Sequence, residues 1–94
     1  MAYPAVGAVG WDGQLQSAAT AHSTDMATNN FFAHQSPTNG TRIGARATAA
    51  GYNYRTVGEN IAAGYTSVND VMAGWLASPS HCANIMQPAF VDLA

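Results

Sequence analysis

Only 15 of the 94 residues are Leu, Ile, Val or Phe, whereas 19 are Ala. A chain with so few large apolar side chains cannot fill a thick core. Its helices must therefore approach closely through alanine, with nine aromatic residues supplying most of the bulk. A formal charge of −2 is too small to hold such a chain open as a disordered polymer, and the length suits a single domain with a single core.

The same composition excludes several partners. There is no lysine, and Arg42, Arg46 and Arg55 form no run that could neutralise successive phosphates, so nucleic acid is not an expected ligand. No apolar segment approaches the roughly 20 residues needed to cross a bilayer. Met1 to Gly10 has neither the basic start nor the apolar stretch of a signal peptide. Cys82 is the single cysteine, so no disulfide can form within the chain.

Periodicity and punctuation divide the chain. Over residues 11–30, Leu15, Ala18, Ala19, His22 and Met26 recur at spacings of three and four, which predicts a helix, with Asp12 placed to favour its positive end. The stretch Phe31 to Gly40 holds Pro37, Asn39 and Gly40 after two aromatics and reads as a loop carrying His34. Thr41 to Ala50, followed by Gly51, reads as a short alanine-rich helix with Arg42 and Arg46 on its solvent face. Tyr52 to Val57 alternates aromatic and polar residues and is a candidate strand.

Further along, Ser67 and Asp70 have the capping-box spacing. Val68, Val71, Met72, Trp75 and Leu76 then form a helical stripe. Ser78-Pro79 stops that helix and can start a second, ending before Pro88. Phe90, Val91 and Leu93 suggest a strand that runs out of chain before a partner strand follows.

Groups suited to acid–base or metal chemistry are few: three histidines, the four aspartates and Glu59, the single glutamate, in the segment Gly58-Glu59-Asn60-Ile61-Ala62-Ala63-Gly64. Capping or surface roles account for the aspartates, and His22, on an apolar face with Met26, reads as a satisfied core histidine. His34, Glu59 and His81 remain as a possible zinc half-shell of two imidazoles and one carboxylate. Their gaps of 25 and 22 residues match no short ligand motif, so each could equally brace its own turn. A nucleophilic site is disfavoured, because Cys82 cannot aim its thiol at the adjacent His81 along a helix and no G-x-S-x-G elbow is present.

Taken in order, A21-H22-S23-T24-D25-M26-A27, F31-F32-A33-H34-Q35-S36-P37, A50-G51-Y52, G58-E59-N60-I61-A62 and W75-L76-A77-S78-P79-S80-H81-C82-A83-N84-I85-M86 resemble one family. It is the CAP superfamily of cysteine-rich secretory proteins, antigen 5 and pathogenesis-related proteins (the SCP domain), especially its short bacterial secreted members. The resemblance implies an α+β fold, an α-β-α sandwich with a small antiparallel sheet between helices, spanning residues 1–94 and lacking the family's first helix and final strands.

It also implies a surface cavity lined by His34, Glu59 and His81 that holds zinc or another divalent metal. Ser78 stands where the family's fuller members have a second glutamate. Exported location, an earlier cysteine, absent from this sequence, as the disulfide partner of Cys82, and an apolar (lipid-like) or protein ligand follow from the same resemblance. Two function classes stand on it: a secreted, non-enzymatic binding module, or a metal-assisted hydrolase or peptidase using His34, Glu59 and His81 as catalytic groups. A third reading makes these residues purely structural braces.

Overall fold

The computed structural model describes residues 7–94. Along the chain it has β1 (Gly10–Trp11), α1 (Gly13–Asn29), α2 (Ile43–Ala49), α3 (Val68–Ala77), α4 (Pro79–Ile85) and β2 (Asp92–Leu93). Helix α1 packs on α2 and α3 on α4, giving two helical pairs and one small sheet, the mixed α+β architecture expected. Most of the reading of Met1–Gly10 lies outside the described residues.

Helix ends follow the caps written in the sequence. The Asp12 carboxylate accepts from the Leu15 amide at 2.8 Å and opens α1. The Ser67 hydroxyl accepts from the Asp70 amide at 3.1 Å and opens α3. Pro79 takes the first position of α4, where no amide hydrogen is needed. Beyond α2, Gly51 sits at φ 88°, a left-handed conformation that disfavours a Cβ.

Two expectations are corrected. The sheet is a parallel pair, with Gly10 opposite Asp92 and Trp11 opposite Leu93, and not antiparallel. The partner of the C-terminal strand is thus the segment before α1, joined through Gly10 N–H to Val91 O and Asp12 N–H to Leu93 O, both 2.9 Å. Tyr52 to Val57 forms no strand, because the Tyr52 amide closes the end of α2 by donating to Ala47 O at 3.0 Å. The Tyr52 hydroxyl instead donates to Asp92 at 2.8 Å, tying β2 to the exit of α2 and raising the phenol's pKa. The α3 helix forms as expected, with its apolar stripe partly covered: Val71, Met72 and Trp75 are half-buried, while Val68 is 78% exposed and Leu76 50%.

The core is as thin as the composition demands. Among the described residues, Ala18, Ala47 and Cys82 are its buried apolar members, joined by the polar His22, Ser36 and Arg46. His22 is the expected core histidine, half satisfied among the described residues: Nε2 bonds Ala33 O at 2.8 Å and the ring lies 5.9 Å from that of Phe31, while Nδ1 has no partner. Cys82 is a free thiol in α4.

The loop that carries His34 is braced by Asp25 on α1. Its carboxylate accepts from Ser36 Oγ at 2.5 Å, Thr38 Oγ1 at 2.9 Å and Asn29 Nδ2 at 2.7 Å. Backbone bonds from Ser36 N–H to Thr41 O and from Gly40 N–H to Ser36 O close the loop. The Ser36 hydroxyl, helped by Thr38 and Asn29 and opposed by lost hydration, holds Asp25 below the ordinary carboxylate range. A depressed folded-state pKa stabilises the fold above the unfolded value of about 3.9, and that contribution disappears as pH falls through the lower folded value. Melting curves from pH 6 to pH 2.5 should therefore show a steeper acid loss in the wild type than in Asp25→Asn; equal slopes would contradict the bracing role.

Candidate functional site

The site is assembled around Arg46, which α2 carries inward. The expectation that Arg46 shares a solvent face with Arg42 is wrong: it is 9% exposed, because three acceptors surround its guanidinium. Nη1 donates to Thr41 O at 2.8 Å and His34 O at 3.1 Å, and Nη2 donates to Glu59 Oε2 at 2.7 Å. One side chain thus joins the α2 entry, the His34 loop and the Gly58–Gly64 segment. Arg46 Nε and His22 Nδ1 are buried without partners among the described residues.

Glu59 uses its other oxygen on His34, with Nδ1 and Oε1 2.8 Å apart. An ionised carboxylate only accepts, so the hydrogen in this contact is carried by His34 Nδ1, and in the neutral ring Nε2 then holds the lone pair. The Glu59 side chain is 11% exposed and that of His34 is 50% exposed, so the acid lies behind the ring.

Polar bonds from the second helical pair hold the Glu59 segment. Asn84 Nδ2 donates to Glu59 O at 3.1 Å and Asn60 Oδ1 at 3.0 Å; Asn60 Nδ2 donates to His81 O at 3.2 Å. Trp75 Nε1 donates to Ile61 O at 3.2 Å. Gly58 leaves room for Phe90, since a Cβ there would stand 2.8 Å from Cζ of that ring and would displace it. His81, in the first turn of α4, has its ring 6.4 Å from that of Trp75.

In front of these groups lies an open cavity of about 760 Å³. His34 and His81 both line it, with Ser78 between α3 and α4, Arg42 and Gln35 on the loop side, and aromatic walls from Phe32, Tyr65 and Trp75. Glu59 is not among the lining residues, and no Asp or Glu is. Of the three sequence-derived candidates, the structure joins His34 to Glu59 and places His81 across the same cavity. Among the described residues no three of His, Cys, Asp or Glu converge on a common point for a metal. Two imidazoles thus line the cavity, and Glu59 is hydrogen-bonded to one of them from outside the lining.

Sequence reasoning missed Arg46. In an alanine-rich helix the apolar period does not tell the inner face from the outer, so nothing in residues 43–49 marked it. Asn60 and Asn84 were inside the quoted motifs, but only the fold reveals that they bond each other.

The profile of the cysteine-rich secretory protein family (CAP) matches residues 4–94. Over 82 residues the chain is 39% identical to the uncharacterized protein YkwD of Bacillus subtilis (strain 168), covering 87% of this chain and 32% of that protein. It is 31% identical over 83 residues to the uncharacterized membrane protein YlbC of the same strain, covering 88% and 24%. A crystal structure of an extracellular SCP-domain protein from Bacillus anthracis str. Ames superposes with a TM-score of 0.88 at 36% identity, covering 93% of this chain and 29% of that one. The chain thus spans about a third or less of these relatives. With nearly its whole length matched to the family profile and its fold matched to an SCP domain, it belongs to the cysteine-rich secretory protein (CAP) family.

Proposed function

We propose that this domain is a non-enzymatic binding module of an exported protein, whose cavity takes a divalent metal such as zinc through His34 and His81. The observation that carries this reading is the bond between His34 Nδ1 and Glu59, which leaves Nε2 free to take a metal in a cavity shared with His81. Glu59 orients the ring from behind, and water or a ligand atom would complete the shell. The aromatic wall supplies a surface for an apolar or protein ligand. Export is supported by the extracellular SCP-domain neighbour.

The metal-assisted hydrolase is the weaker reading. Its general base would be Glu59, and both oxygens of that carboxylate are already engaged, one by His34 and one by Arg46.

Imidazole ¹⁵N NMR tests the assignment. Before zinc is added, His34 should show the Nδ1–H tautomer. Zinc should then shift His34 Nε2 and one His81 nitrogen and leave His22 unchanged. A response confined to His22, or none, would overturn the proposal.

A further inference from the structure

The charge around the cavity does not suit a cation alone. No carboxylate lines it, since Glu59 is turned back onto His34 and Arg46 and Ser78 occupies the α3–α4 wall. Arg42 does line it, and among the described residues it makes no ion pair. Its one side-chain bond, from Nη2 to Gln35 Oε1, is 3.4 Å long, at the weak limit for a hydrogen bond. Two imidazoles can add only positive charge. Arg42 is therefore the one fixed formal charge on the cavity lining, in a protein of net charge −2.

Its other half is apolar. Phe32 and Tyr65, 54% and 49% exposed, leave aromatic surface in water at the rim. Trp75 has its indole nitrogen committed to Ile61 O, so only its ring surface is available for contact. Tyr65 is seated against Gly74, where an added Cβ would stand 2.9 Å from Tyr65 Cζ; the glycine lets the aromatic wall close. A guanidinium fork beside such a wall matches a carboxylate attached to an aromatic or branched apolar body.

We infer that this cavity binds a small amphipathic carboxylate, with the acid group on Arg42 and the apolar body against Phe32, Tyr65 and Trp75. The inference rests on the cavity being a ligand site, as proposed above, but not on a metal being bound. A concave wall of aromatic surface beside the guanidinium lowers the local dielectric and so strengthens an ion pair relative to open surface.

The test is ligand-observed NMR titration with 3-phenylpropionate, its neutral amide 3-phenylpropionamide, and N-acetylphenylalanine as a peptide-terminus analogue, each in EDTA and again with zinc. The acid should bind at least about fivefold more tightly than the amide and weaken with added salt. Arg42→Gln should abolish the preference for the acid, whereas Arg55→Gln, away from the cavity, should preserve it. Gly74→Ala, which displaces Tyr65, should weaken acid and amide alike. Tighter binding of phenylpropionate than of N-acetylphenylalanine identifies a free acid as the ligand class, and the reverse order a peptide C-terminus.

Equal binding of acid and amide, or an unchanged preference in folded Arg42→Gln, would overturn the inference. Acid binding in EDTA without any zinc response would leave the carboxylate site standing and remove the metal. A zinc response without acid binding in either condition would do the opposite.

Discussion

Arg46→Leu is expected to lower the unfolding free energy by about 3 kcal/mol or more, the scale seen when one member of a buried ion pair is removed. The Arg46 and Glu59 side chains are 8% and 11% exposed, so neither charge can recover much solvation in place. Leucine would fill part of the volume but leave the Glu59 carboxylate without its cation and Thr41 O and His34 O without their donor. In a small, thin-cored domain that loss is a large share of the total stability and corresponds to roughly 12 °C or more in melting temperature. Arg46→Lys should recover little, because a single ammonium cannot serve three acceptors set around a planar fork. Urea denaturation checks this, and a loss below about 1 kcal/mol would show that the three-way bridge is not what holds the site together.

The second large effect concerns affinity. His34→Ala removes a nitrogen proposed to bind the metal directly, at a solvent-exposed position where truncation costs the fold little. Glu59→Gln keeps the shape of the side chain but replaces the charged partner of Nδ1. Outer partners of ligating histidines typically contribute about 10- to 100-fold in metal affinity. The two variants should therefore differ in kind, with loss of site in the first and weakening in the second.

Much of the fold was legible because it is written locally. Asp12, Ser67 and Pro79 open their helices where the caps predict, and His22 occupies the core position that its spacing with Ala18 and Met26 indicates. The sheet was not legible. Its strands are two residues each, too short for alternation to appear, and they pair across almost the whole chain. Tyr52 and Tyr54 imitated a strand, yet Tyr52 is committed to the end of α2 and to Asp92.

The site divides in the same way. The scarcity of ionisable residues singled out His34, Glu59 and His81, and the ordered motifs set them in one family's cavity. Their spacing did not indicate that Glu59 would face away from the cavity. That orientation depends on Arg46, whose inward turn is decided by carbonyls 5 and 12 residues earlier in the chain and a carboxylate 13 later.

Zinc calorimetry on the wild type, His34→Ala and Glu59→Gln, each shown to be folded by circular dichroism, tests the central claim that Glu59 orients His34 and does not itself ligate. The account predicts binding reduced at least about 100-fold in His34→Ala and only about tenfold in Glu59→Gln. Equal loss in both variants, or unchanged binding in His34→Ala, would contradict it.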